Sequence, residues 1–238
     1  MTDVRMPQPP VLVATGVEKS YRTGAEEVHA LAHVDLTIGE GEFLAVTGPS
    51  GSGKTTLLNC LSGLDDIDTG SVLLDGLDLG SATDGRRTGQ RASSMGFVFQ
   101  ASNLLPVFTA LENVALPMVL TGVRRKQARQ AAYSALERVG VEDRSGHFPN
   151  QLSGGEQQRV AIARAFAKRP RMVWADEPTG NLDTATARHV LELLREVHVE
   201  GTTLILVTHD AELAAVADRC VEVRDGRIVS ERSGRALL

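Results

Sequence analysis

The chain has 238 residues, 25 Lys and Arg against 30 Asp and Glu for a net charge of −5, and 42% hydrophobic residues. That length allows a full core without staples, and the composition lies well away from the disordered range. The acidic balance excludes a generic nucleic-acid clamp, which needs a positive excess to neutralise phosphates, and Cys60 and Cys220 are too few and too far apart for a disulfide framework, so they read as two buried thiols.

In chain order, the opening MTDVRMPQPP lacks the apolar centre of a signal peptide and, with Pro7, Pro9 and Pro10, predicts a flexible arm over residues 1–10. Residues 11–41 alternate apolar and charged positions up to Gly39-Glu40-Gly41, as in strands of an antiparallel layer. Residues 43–47 form a continuous apolar run, the pattern of a strand buried on both faces, followed by a glycine-rich turn and helical character over 55–61. Asp75-Gly76 between apolar pairs predicts a hairpin across 71–79. Residues 81–94 (SATDGRRTGQRASS) are polar and irregular and carry no expected element.

After Val107 no strong strand signal is present until residue 171, whereas 127–139 and 157–167 read as helices, so 101–169 is expected to be a helical subdomain inserted in an α/β core. Arg124, Arg125, Lys126 and Arg129 read as a solvated helix face. The best candidate for a bilayer span, 114–120, is short and interrupted by Pro117, which places any membrane role on a partner. Two further short apolar runs, 171–175 and 203–207, end in polar residues, with a helix between them carrying Val190, Leu191, Leu194 and Val197. Ligand chemistry in open α/β sheets sits at such strand ends.

Three segments carry that chemistry. GPSGSGKTT, residues 48–56, satisfies GxxxxGK[ST] between a predicted strand and a predicted helix. Its glycines let successive N–H groups turn inward toward phosphate, Lys54 would reach the β and γ phosphates of ATP, and the Thr55 hydroxyl would ligate Mg²⁺. At the end of the run 171–175, Asp176 and Glu177 are adjacent acids, which makes sense beside a cation: Asp176 would hold Mg²⁺ and Glu177 would orient and deprotonate the attacking water. LSGGEQQR, residues 152–159, is a second helix start with anion-binding character, although in isolation it reads first as a Ser N-cap with two flexible glycines. One phosphate loop leaves that start without a ligand in its own chain, and a second subunit would supply one.

With these residues in view, the chain resembles the nucleotide-binding subunit of ATP-binding cassette (ABC) transporters over about residues 11–229. Residues 48–56 match the family's Walker A loop, 172–176 its Walker B strand, and LSGGEQQR the signature that separates it from other phosphate-loop ATPases. GPSGSGKTTLLN, GFVFQASNLLP, TALENVALP and ADEPTGNLD are most similar to ATPases paired with lipoprotein-release, macrolide-export and antimicrobial-peptide-resistance permeases. The resemblance implies an α/β phosphate-loop NTPase with a RecA-like, mostly parallel core at about 11–100 and 170–230. It adds an antiparallel β subdomain, the inserted helical subdomain and a short tail at 231–238.

It also implies roles. Gly48, Pro49, Ser50, Gly51, Ser52, Gly53, Lys54, Thr55 and Thr56 hold the phosphates, and Tyr21 stacks on adenine. Gln100 senses Mg²⁺ and the γ phosphate, and His209 contacts that phosphate and Glu177. Ser153, Gly154 and Gly155 meet ATP held by the other copy of a homodimer, and Asp183 lies in the loop joining the two sites. A membrane permease docks near residues 100–117, where Leu104, Leu105, Pro106, Val107 and Phe108 offer apolar side chains. That places the chain at the cytoplasmic face of the membrane. Export is the expected use. An ATP-driven signalling switch acting on a non-transporting permease-like partner is the alternative, and a short acidic single cassette argues against work on DNA or ribosomes. Trp174 departs from the family's usual aliphatic in the Walker B strand.

Overall fold

The computed structural model describes residues 10–23, 26–180, 182 and 184–234. The chain divides into a first unit, Met1–Thr88 with Thr203–Leu238, and a second, Gly89–Thr202.

In the first unit, β1 (Pro10–Thr23) and β2 (Glu26–Gly39) pair antiparallel, with β4 (Thr69–Leu74) on the other edge of β1 and β5 (Leu77–Asp78) closing the order β2-β1-β4-β5. The alternation seen in the sequence is the cause: Leu12, Ala14 and Val17 are buried, and their cross-strand partners Ile38, Leu36 and Val34 are buried with them. The expected hairpin forms at Asp75 (φ 51°) and Gly76 (φ 77°). Two left-handed residues in a two-residue turn match the twist of the flanking strands.

The same unit contains the strand that carries the phosphate loop. β3 (Phe43–Thr47) lies between two parallel neighbours, β8 (Thr203–Val207) and β9 (Arg219–Arg224), and β10 (Arg227–Ser233) pairs antiparallel with β9. Phe43, Leu44, Ala45 and Val46 are all buried, as are all five residues of β8, so these strands read as continuous apolar runs. α1 (Lys54–Leu61) follows β3 and begins one residue earlier than the sequence suggests.

β10 runs through Ser233, so residues 231–233, read from the sequence as tail, finish a strand. It is an edge strand with charges in place of apolar alternation: Glu231 pairs with Arg219 at 3.0 Å, and Arg232 sits opposite Cys220. Cys220 is only half-buried, which corrects the expectation of two buried thiols; Cys60 is fully buried.

α2 (Asp84–Ser94) occupies the segment that carried no expectation. None of its residues is buried, so it has no apolar stripe for the sequence to display. Arg87 ties its start to Asp66 and, at 3.5 Å, to Asp84.

In the second unit, β6 (Met95–Val98) and β7 (Met172–Asp176) are parallel partners. Between them in sequence lie α3 (Ala110–Leu120), α4 (Arg125–Arg138) and α5 (Gly154–Phe166), which pack on one another, with Val114, Met118, Ala128, Ala132, Leu136 and Val160 buried. α6 (Thr184–Val199) follows β7, burying Val190, Leu193, Leu194 and Val197, whereas Leu191 is only half-buried. α3 lies outside the helices that the sequence pattern predicts, because Pro117 interrupts its apolar run. The helix tolerates the proline, and Thr109 and Glu112 close a capping box at its start. Arg124, Arg125, Lys126 and Arg129 are exposed, as a solvated face requires. Among the described residues no helix is long and apolar enough to cross a membrane.

Candidate functional site

The first unit presents a phosphate loop between β3 and α1. Gly48 sits at φ 143°, where a Cβ would fall 2.0 Å from the Val223 carbonyl oxygen. Gly53, at φ 102°, caps α1 in the left-handed region with a Cβ position 2.3 Å from the Ala30 carbonyl oxygen. At these two positions the backbone passes too close to its neighbours for any side chain, so the loop's shape dictates glycine. No acidic residue occupies the first turn of α1, which leaves its N-terminal amides and the positive end of its dipole without a competing anion.

Two further features fit this loop to a polyanion. Lys54 is buried, and its ammonium donates to the carbonyl oxygens of Gly48 (3.0 Å) and Pro49 (2.8 Å), so it curls back on the loop that it serves. The Ser52 hydroxyl is buried with no hydrogen-bond partner among the described residues, a cost of about 1–3 kcal/mol that a bound phosphate oxygen would relieve. Ser50, Gly51 and Thr55 are exposed, and Thr56 is half-buried.

Tyr21 stands near the start of α1 in the same unit. Its hydroxyl donates to Asp65 at 2.7 Å, and the Lys19 ammonium lies 5.3 Å from the ring centre. Burial, and then the Asp65 carboxylate, push the phenol up to about 12, against an opposing hydrogen bond with Thr56. The ring is therefore a fixed neutral aromatic, 37% exposed. His209 follows β8, just before Asp210, whose carboxylate accepts from the amides of Glu212 and Leu213 to cap a short helix, α7 (Ala211–Ala214). His209 shares a cavity of about 690 Å³ with Thr47, Gly48 and Pro49, so the histidine and the start of the phosphate loop come together as the sequence suggests.

The second unit holds the other predicted groups. Asp176 ends β7, and Glu177 follows at φ 46°, a left-handed conformation that costs a non-glycine residue about 1 kcal/mol or more and concentrates at functional sites. The Gly180 amide donates to the Glu177 carbonyl at 3.1 Å, closing the turn. Gln100, exposed two residues beyond β6, lines a cavity of about 300 Å³ with Gly154, Gln157, Gln158 and Pro178.

Ser153 does cap α5. Its hydroxyl accepts from the Glu156 amide at 3.3 Å, while Glu156 accepts from the Ser153 amide at 2.8 Å and hydroxyl at 2.9 Å. Hydrogen bonds from the Ser153 amide, then Arg144, then the Ser153 hydroxyl bring Glu156 down to about 2. Capping and anion binding are compatible here, since Gly154 is open, with nothing within 4 Å of a Cβ, and is exposed. Asp183 lies outside the described residues.

Sequence reasoning missed Gln158, which is 3% exposed and donates to the carbonyl oxygens of Phe99 (3.0 Å) and Pro178 (2.9 Å). The available signal was a glutamine next to the apolar helix positions that begin at Val160. Thr55 in the first unit, and Gln100 and Asp176 in the second, each carry a side-chain oxygen of the kind that Mg²⁺ takes. Among the described residues there is no group of three or more His, Cys, Asp or Glu that could hold a metal ion.

Comparison with known proteins agrees with these features. Residues 31–180 match the family model described as ABC transporter. The chain is 49% identical, over 95% of its length, to the macrolide export ATP-binding/permease protein MacB of Rhodospirillum rubrum, of which it spans 35%. It is 47% identical to the lipoprotein-releasing system ATP-binding protein LolD of Bordetella pertussis, covering 92% of this chain and 95% of that one. Among solved structures, the dimeric post-hydrolysis state of the ATP-binding cassette MJ0796 bound to ADP and Pi superposes with a TM-score of 0.90 at 40% identity, covering 95% of this chain and 100% of that chain.

Proposed function

The chain belongs to the ABC transporter family as an ATPase, and from that premise we propose that it drives a separate membrane permease through ATP-dependent closure of a homodimer, in export or in extrusion of lipoproteins or peptides. The observation that carries this reading is a chain with one phosphate loop, at α1 behind Gly53, and a second helix start, α5 behind Ser153, whose Gly154 stays open and exposed beside the Glu156 cap. The second start finds its ligand if two copies meet head to tail.

In that arrangement Tyr21 stacks on adenine, residues 48–56 enclose the phosphates, and Lys54 turns from its own loop toward the β and γ phosphates. Thr55, Gln100 and Asp176 would hold Mg²⁺, which supplies charge neutralisation at those phosphates. Glu177 takes the proton of the attacking water, His209 orients Glu177 and the γ phosphate, and Ser153, Gly154 and Gly155 close over the nucleotide of the other copy. Asp183 connects the two sites.

The MacB relative is described as an ATP-binding/permease protein and the LolD relative as the ATP-binding protein of a lipoprotein-releasing system, which supports a permease partner. Docking near residues 100–117 has an apolar surface available in Leu105 and Val107, 41% and 74% exposed, and such docking would put the chain at the cytoplasmic face of the membrane. The test is Glu177→Gln with MgATP, followed by light scattering and phosphate release. The variant is expected to bind ATP, stay dimeric and release little phosphate. Hydrolysis at the wild-type rate would remove Glu177 as base, and a strictly monomeric variant under saturating MgATP would remove the closing dimer.

A further inference from the structure

Four hydrogen bonds with side chains of α5 hold the segment around Gln100. Gln158 donates to the Phe99 carbonyl at 3.0 Å, the Ser102 hydroxyl donates to Gln157 at 3.1 Å, and Arg164 donates to the carbonyls of Asn103 (2.7 Å) and Ser102 (2.8 Å). Gln158 also reaches the other hydrolytic segment, donating to the Pro178 carbonyl at 2.9 Å. Phe99 directly precedes Gln100, and Pro178 directly follows Glu177. Both amide hydrogens of a buried side chain are thus committed, one to the segment that senses the metal and one to the segment that carries the base.

A primary amide is well suited to this. Its two N–H groups diverge from one nitrogen in a plane, so holding both carbonyls fixes the distance between the segments as well as their distance from α5. Burial at 3% keeps water from substituting for either bond. Ser153, at the start of the same helix, lies five residues before Gln158. A helix is stiff over so short a span, so a displacement at its first turn reaches Gln158 almost undiminished.

We infer that Gln158 is a positioning residue that locks Gln100 and Glu177 to the signature helix, so that nucleotide engaged at Ser153 sets the placement of the hydrolytic groups of the same chain. This rests on the roles proposed above for Glu177 and Ser153. It gives each copy of the dimer a route from the neighbour's ATP, met at Ser153, to its own water-activating carboxylate. The coupling is local, carried by two hydrogen bonds with named partners.

The experiment compares the wild-type chain, Gln158→Met, Gln158→Asn and Glu177→Gln by thermal melting, calorimetric ATP binding without hydrolysis, and steady-state hydrolysis over a range of ATP. Gln158→Met keeps an unbranched chain of similar volume and removes both donors. Gln158→Asn keeps the amide on a stem too short to span both carbonyls. ATP affinity is expected to stay within about threefold in both, since neither touches the phosphate loop. The turnover number is expected to fall at least tenfold in Gln158→Met and by an intermediate factor in Gln158→Asn, with the Hill coefficient for ATP dropping to 1 in Gln158→Met.

A role limited to packing would lower the melting temperature and leave turnover per folded molecule and the Hill coefficient unchanged, and that result overturns the inference. If Gln158→Met does not fold, Gln158→Asn decides: wild-type turnover in that variant also overturns it. Loss of activity in Glu177→Gln alongside wild-type behaviour in both Gln158 variants condemns this coupling alone. Wild-type activity in Glu177→Gln condemns the base assignment on which it rests.

Discussion

Asn113 offers a sharp test of how the second unit is held together. It is 1% exposed on α3, yet it is polar and every hydrogen bond it makes is to backbone. Its carbonyl oxygen accepts from the Leu105 amide at 2.7 Å, and its NH₂ group is shared among the carbonyls of Leu105 (3.1 Å), Phe108 (3.0 Å) and Thr109 (3.0 Å). One side chain therefore folds the loop at 105–109 onto the first turn of the helix. Asn113→Ala strands the Leu105 amide and removes the shared donor. One stranded buried group costs about 1–3 kcal/mol. Leu105 is exposed and Phe108 half-exposed, so water reaches part of what is lost, and the net expectation is about 2–3 kcal/mol.

Asn113→Asp discriminates further. It has nearly the same shape and keeps the acceptor for Leu105, but at neutral pH it sets a carboxylate against three carbonyl oxygens in a buried site. It should be less stable than Asn113→Ala near pH 7 and gain on it as the pH falls toward the protonation of the new carboxyl, which burial and the facing carbonyls push upward. Urea unfolding followed by far-UV circular dichroism, with the slope checked for constancy, measures both differences. If Asn113→Asp is as stable as Asn113→Ala or more so at pH 7, the hydrogen-bond argument is wrong and shape alone matters at this site.

Three further outcomes are expected. Gly48→Ala and Gly53→Ala should reduce ATP affinity at least tenfold, because their Cβ atoms would meet carbonyl oxygens at 2.0 and 2.3 Å, whereas Gly51→Ala, with nothing within 4 Å, bears only the strain of φ 77° and should bind within a few fold; calorimetric titration gives the order, and equal losses at all three would refute it. Glu156, held down near 2, contributes stability that is complete above the ordinary glutamate range near 4.5 and is lost as the pH falls from there toward 2. Glu156→Gln keeps a capping partner without that titration, so the gap in melting temperature between wild type and variant should narrow across that interval, and a constant gap would contradict the assignment. Burial, with a smaller push from Asp65, raises the Cys60 thiol to about 12, while Cys220 is half-buried; one thiol should react with a disulfide reagent in the folded chain and two after unfolding, and Cys220→Ala should leave none reactive before unfolding.

The sequence was most readable where one local rule governs a segment. The strand, loop and helix at 43–61 follow from apolar continuity and glycine spacing, and the turn at Asp75-Gly76 follows from its two residues alone. Legibility failed where the rule needed a partner. α2 buries nothing, so no period marks it, and β10 carries cross-strand charges in place of alternation. α3 was concealed by Pro117, although Thr109 and Glu112 stood three residues apart as a cap announces itself. The chemistry-bearing residues were named from motif context, but Gln158 was not, because its meaning depends on two carbonyls distant in sequence. The left-handed backbone of Glu177 likewise leaves no trace in residue type.

Trp174 has one more consequence. It is the chain's only tryptophan, it is wholly buried in β7, and it stands two residues before Asp176. All indole emission from this protein therefore comes from a single known address behind the acidic strand end. Wherever nucleotide or permease shifts that strand, the native chromophore will register it as a change in colour or lifetime, and turnover can be watched optically without attaching any dye.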